Sequence, residues 1–145
     1  MTHIDFYILS DSASDARWHF ACRLIDKASR LGHRVLVAMD NKADADTLDE
    51  LLWTFKPESF IPHQCLFDEN SHPAPVEIAY GSSSAHLPGH HQDLLINLSH
   101  AVPAYFSQFK RLSEVVIQAP EVLETTREHF SFYRERGYPI QHRKI

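Results

Sequence analysis

Ile4-Asp5-Phe6-Tyr7-Ile8-Leu9-Ser10-Asp11-Ser12-Ala13-Ser14-Asp15 stands near the start of the chain, and the fold is read outward from it. Ile4 to Leu9 is an apolar run of β-formers and predicts a buried strand. Asp11 to Asp15 then supplies helix-start chemistry, with Ser12 placed to cap and Asp15 three residues on. The turn between strand and helix holds acids and no glycine. A turn that cradles phosphates needs glycines so that the backbone can approach them closely, and the acids here would repel a phosphate. The stretch therefore predicts a strand–turn–helix unit without a nucleotide site.

The same alternation continues along the chain. Trp18, Cys22, Ile25 and Ser29 form one helical row, with Ala21, Leu24, Ala28 and Leu31 beside it, and Gly32 ends the helix. His33 to Met39 predicts a strand buried on both faces. Asp40-Asn41 opens a second helix, carried by Ala43, Thr47, Leu48, Leu51 and Leu52 and stopped by Pro57. Val76–Tyr80, Asp93–Leu98 and Glu114–Gln118 read as further strands, and residues 81–92 as a polar loop rich in Ser and His. Pro120 opens a last helix to about Arg136, closed by Gly137. Strands alternating with helices predict an α/β sandwich with a mostly parallel sheet. The 145 residues, 43% of them hydrophobic, predict one core and a single domain over 1–145.

Composition narrows the function classes. Apolar runs fall short of a membrane span, and the N-terminus lacks a secretory pattern. With Cys22 and Cys65 as the only cysteines, a reducing, cytoplasmic setting is expected, with no disulfide framework. A net charge of -5 argues against broad binding to nucleic acid. The cations are uneven: Arg134, Arg136, Arg143 and Lys144 face only Glu135 from residue 134 onward, a local balance of +3. That segment reads as a solvated basic tail or as a landing site for an acidic partner.

Catalytic and metal chemistry finds no foothold. His72, His86, His90 and His91 fall in or near loops without a Cys-x-x-Cys, so a polar loop explains them better than a metal site. Cys22 sits mid-helix among apolar neighbours, as an inert cysteine does. Ser82-Ser83-Ser84 lacks elbow glycines. Asp44, Asp46, Asp49 and Glu50 read as a solvated helix face. No cofactor is expected.

Leu48-Asp49-Glu50-Leu51-Leu52-Trp53 followed by Ser59-Phe60-Ile61-Pro62-His63 is the most specific block. Phe6-Tyr7, Cys22-Arg23-Leu24, Arg34-Val35-Leu36-Val37, Ala74-Pro75-Val76-Glu77-Ile78, Leu95-Ile96-Asn97-Leu98, Arg127-Glu128 and Tyr133-Arg134-Glu135-Arg136-Gly137-Tyr138 accompany it. With these landmarks the chain resembles, over nearly its whole length, the chi subunit family of bacterial DNA polymerase III. The resemblance implies a Rossmann-like three-layer sandwich lacking the glycine loop. It implies a non-catalytic accessory subunit of the clamp-loader complex, acting at the replisome. The family binds a small partner, psi, and the acidic C-terminal tail of single-stranded DNA-binding protein (SSB), so it touches single-stranded DNA only indirectly.

Two surfaces follow from the resemblance and from side-chain chemistry. Trp53, Phe60 and Pro62 are the expected psi-binding residues, aromatics held on a proline-pinned turn with little entropy left to lose. For Phe55, inward packing is the expectation. Arg127, Phe130 and Arg134 share one face of the last helix, flanked by Thr126 and Tyr133. Arg127, Phe130, Tyr133 and Arg134 are the expected SSB-tail-binding residues, an arginine taking a carboxylate beside a ring that takes an apolar side chain. Tyr133 fits core packing equally well. Leu123 stands where the family carries a lysine, which lowers the local charge, and Arg134 or Arg136 can compensate. The competing readings are a small α/β nucleotide-binding or hydrolase-like enzyme and a direct single-stranded DNA binder.

Overall fold

A computed structural model describes residues 1–55, 61–65, 74–81 and 92–145. The described residues form seven strands and three long helices in the order β1 (His3–Ile8), α1 (Ser14–Arg30), β2 (Val35–Met39), α2 (Lys42–Thr54), β3 (His63–Cys65), β4 (Val76–Tyr80), β5 (Leu94–Asn97), β6 (Arg111–Val116), α3 (Pro120–Glu135) and β7 (Ile140–Lys144). A 3₁₀ turn, Phe106–Gln108, precedes β6. The sheet order is β3-β4-β2-β5-β6-β1-β7, and every pairing is parallel.

The central strands are buried on both faces, which is why β2 reads as an unbroken apolar run. Val35, Val37, Ile78, Ile96 and Val115 meet Cys22, Ile25, Leu48 and Leu52 of α1 and α2 on one side. Phe6, Leu36, Leu95 and Leu112 meet Phe106, Phe109 and Tyr133 of the 3₁₀ turn and α3 on the other. The result is the expected three-layer α/β sandwich. Arg17 of α1 ties the layers together by donating to the carbonyls of Val115 (2.9 Å) and Leu98 (3.4 Å). Phe55 is half-buried and packs against the α1–α2 core, as expected.

Helix ends follow local chemistry. Asn41 caps α2, its side-chain oxygen accepting from the Asp44 N–H at 2.8 Å. Gly32 has φ +83° after α1 and Gly137 has φ +77° after α3, conformations that favour glycine. At Gly137 the Tyr138 N–H returns to the Tyr133 carbonyl at 3.1 Å, turning the chain back toward the sheet.

Four expectations need correction. Ser12 does not cap α1: the cap position is Ala13, whose N–H donates to the Asp11 carboxylate at 3.0 Å, so Asp11 organises the turn instead. Leu31, placed in a helical row, lies past the helix end and is 65% exposed. The sheet gains two strands, β3 and β7, both at edges and both polar in sequence. The basic segment after α3 is therefore no solvated tail: it pairs along β1, and Arg143 is bonded to Asp5. β6 also begins at Arg111, three residues earlier than expected, because Leu112 and Ser113 are buried within the strand rather than outside it. Pro57 and the His-rich stretch 82–91 lie outside the described residues.

Candidate protein-binding surfaces

The first surface forms where α2 meets β3. Trp53 closes the last turn of α2 and is 53% exposed. Its ring leans on the His63 ring, with centroids 4.7 Å apart. His63 is itself fixed, one ring nitrogen lying 2.6 Å from the Ile61 carbonyl and the other 3.1 Å from the Asp49 carbonyl and 3.2 Å from its carboxylate. Ile61 is buried and Pro62 exposed, so the segment is pinned by one residue and presents the next. Trp53 and Pro62 thus flank a braced histidine at the β3 edge, while Phe60 lies outside the described residues. A half-exposed indole on a rigid support is an anchor of the kind that dominates protein interfaces.

The second surface is a cleft of about 600 Å³ between α3 and the β1–β7 edge. Phe6, Ile8 and Val116 form its floor, Leu123 and Phe130 one wall, and His142 of β7 the other. Alternation along β1 sends Phe6 and Ile8 to this face. Phe130 packs edge-on to Phe6, with centroids 6.0 Å apart, and leans on His142 at 5.4 Å. Arg127 stands at the mouth, exposed, and has no ion-pair partner among the described residues. The cleft combines an exposed guanidinium with an apolar pocket.

The other expected residues separate. Arg134 stands beside the Phe130 ring at 5.9 Å, next to the cleft rather than in its wall. Arg136 lies 3.6 Å over the Phe132 ring and donates to the Phe132 carbonyl, so it does not reach the cleft. Tyr133 is fully buried and is no surface residue: helical spacing turns it toward the sheet, and its hydroxyl donates to Glu114 at 2.7 Å. Leu123, the position of lower charge, does line the cleft.

Beneath α3 lies a polar cluster that sequence reasoning missed. Glu114 accepts from Asn97 (3.1 Å), Tyr133 (2.7 Å) and His129 (3.0 Å), all four residues being buried. Burial alone would lower the His129 pKa, but the Glu114 hydrogen bond and charge and the His100 carbonyl outweigh it, and the net shift is upward. Burial first, then Glu114, pushes the Tyr133 hydroxyl far up, so it stays a neutral donor. The available signal was an acid, Glu114, beside the apolar run Val115-Val116-Ile117.

The chain matches over residues 1–141 the family described as "DNA polymerase III chi subunit, HolC". The chain belongs to the DNA polymerase III chi subunit family. Relatives named DNA polymerase III subunit chi include that of Pseudomonas aeruginosa, 40% identical over 145 residues and covering 100% of this chain and 98% of the relative. Those of Haemophilus influenzae and Escherichia coli are 29% and 28% identical, with 93% and 97% of this chain covered and 92% and 96% of the relatives. Membership in the chi family makes this chain an accessory subunit in DNA replication rather than a catalytic one. No helix among the described residues is long and apolar enough to cross a membrane.

Proposed function

We propose that the chain is an adaptor at the cytoplasmic replisome, holding the acidic C-terminal tail of SSB in the α3–β7 cleft and the psi subunit at the Trp53 surface. The observation that carries this reading is the exposed Arg127, without an ion-pair partner among the described residues, at the mouth of an apolar cleft built on Phe6 and Phe130. A peptide that ends in an apolar residue and a free carboxylate needs both parts: the guanidinium takes the carboxylate and the pocket takes the side chain. Arg127 and Phe130 bind, and Arg134 adds charge from beside the cleft. Tyr133 acts behind them, by fixing α3 to the sheet.

At the other surface, Trp53 and Pro62, with Phe60 beside them in sequence, anchor psi, which links the chain to the clamp loader. Psi gains an apolar contact whose support is already rigid, so little entropy is lost on docking. Through these two surfaces the chain bridges the polymerase assembly and SSB-coated DNA. A tail held by one arginine and one pocket binds with a Kd on the order of micromolar, weak enough to form and break as the replisome advances.

The test is a pull-down with wild-type SSB beside SSB lacking its terminal residues. Retention of the full protein alone supports the reading. Equal retention of both overturns it.

A further inference from the structure

On the opposite face of the sheet lies a second cleft, of about 480 Å³, to which neither proposed partner is assigned. Leu24, Lys27 and Ala28 line it from one stripe of α1, and Leu31, just past the helix end, continues it. The sheet beneath is polar where it is apolar elsewhere: Asp5 and Tyr7 of β1, Ser113 of β6 and Arg143 of β7 point here.

The centre is built around a buried carboxylate. Asp5 is 3% exposed in its side chain and accepts from Arg111 at 3.2 and 3.3 Å on one oxygen and from Arg143 at 3.1 Å on the other. One acid thus orients two guanidiniums, each of which keeps an Nη1 without a partner among the described residues. Lys27 also has no ion-pair partner among the described residues, and Lys110 approaches Asp93 only at 3.9 Å. Four cations therefore face two acids, Asp5 and Asp93, in a chain whose net charge is -5. Leu31, 65% exposed, stands at the mouth. Burial and Asp5 push the Tyr7 hydroxyl up, which keeps it a neutral donor inside the cleft.

We propose that this cleft docks an acidic peptide segment bearing an apolar side chain. Its carboxylates meet Arg111, Arg143 and Lys27, and the side chain lies on Leu24, Ala28 and Leu31. Fixing the arginines through Asp5 removes the rotamer entropy that a ligand would otherwise have to freeze. The mixed rim separates a peptide from a nucleic acid. A peptide backbone brings N–H donors to Asp93 as well as carboxylates to the cations, whereas phosphodiesters bring acceptors alone and are repelled by both acids. The apolar wall, Leu24, Ala28 and Leu31, is aliphatic, and Tyr7 lies under Arg143 at 6.0 Å, so no aromatic face among the described residues is free for a base. This site is independent of the α3–β7 cleft, which takes a chain terminus.

The probe is a hexapeptide of alternating aspartate and leucine, carrying fluorescein on its N-terminal amine and amidated so that it has no terminal carboxylate, titrated against the full chain by fluorescence polarisation. Saturable binding is expected, with a loss of about tenfold in Lys27→Glu, a rim position that leaves the Asp5 pairs intact. Lys42→Glu on α2, the same charge change elsewhere, and Arg127→Ala should bind as the wild type does. Amide NMR shifts at Tyr7, Leu31 and Ser113 should accompany binding. Absence of saturation, equal losses in Lys27→Glu and Lys42→Glu, or equal affinity for a thymidine hexanucleotide would each overturn the assignment.

Discussion

The Glu114 carboxylate of β6 and the His129 ring of α3 meet at 3.0 Å inside the protein, both side chains about 95% shielded from water. The other ring nitrogen lies 2.7 Å from the His100 carbonyl, so both nitrogens face acceptors and the imidazolium fits best. This pair fixes the helix that carries Arg127 and Phe130.

His129 therefore binds its proton more tightly folded than unfolded, its pKa lying above the ordinary 6.5. The folded state holds more protons over that interval, so the stability contributed by His129 is complete below about 6.5 and is lost as pH rises through the folded value. Thermal midpoints should fall as pH rises through that window. In His129→Gln the slope should flatten, and overall stability should drop by about 3 kcal/mol, because Glu114 loses a charged partner. A wild-type midpoint that is flat or rises over the window contradicts this.

Tyr133→Phe removes one hydroxyl from the same carboxylate and leaves the ring packing intact. The expected loss is about 1–2 kcal/mol in chemical denaturation. A neutral result would place the hydroxyl outside the network.

Arg127→Ala should change stability by no more than about 0.5 kcal/mol, since the side chain is exposed. Calorimetry with an SSB-tail peptide should show affinity falling at least about tenfold in that variant. Leu123→Lys should raise tail affinity about threefold at low salt, with the gain disappearing as salt screens it. A salt-independent gain would mean that the lysine stem, not its charge, fills the cleft.

Trp53→Ala should lose psi and keep the tail, with binding weakened by about 2 kcal/mol or more. Its own stability should fall by no more than about 1 kcal/mol, half the indole being in water already. Loss of both partners in a folded variant would show that the surfaces are not separate.

Cys22 is fully buried, and desolvation pushes its thiol up to about 12. Its reaction with an aromatic disulfide reagent at neutral pH should be slower than that of free cysteine by at least about a thousandfold, until the protein unfolds. Fast labelling in the native state would refute this.

The fold was legible wherever apolar runs declared themselves. β2 is buried along its length and β4 up to Tyr80, and their sequences state it locally. His63-Gln64-Cys65 and Ile140-Gln141-His142-Arg143-Lys144 escaped because an edge strand needs no continuous apolar face. The candidate site was legible in part for a similar reason. Arg127 and Phe130 are joined by helix period, a local property, whereas Phe6 and His142 complete the cleft from opposite ends of the chain. Buried charges were the least readable: Asp5 finds Arg143 across 138 residues, and no local pattern links them. Tyr133 shows the same limit, since spacing could not distinguish a flank from the core until Glu114 was in place.

Successive residues of β7, His142 and Arg143, serve different clefts. Because a strand inverts its facing with every step, sliding β7 by one position along β1 would exchange the imidazole for the guanidinium. Asp5 would lose a counterion and Phe130 one of its two ring neighbours in the same movement. The two clefts are thus set by a single alignment, and a lesion that disturbs it is felt on both sides of the sheet.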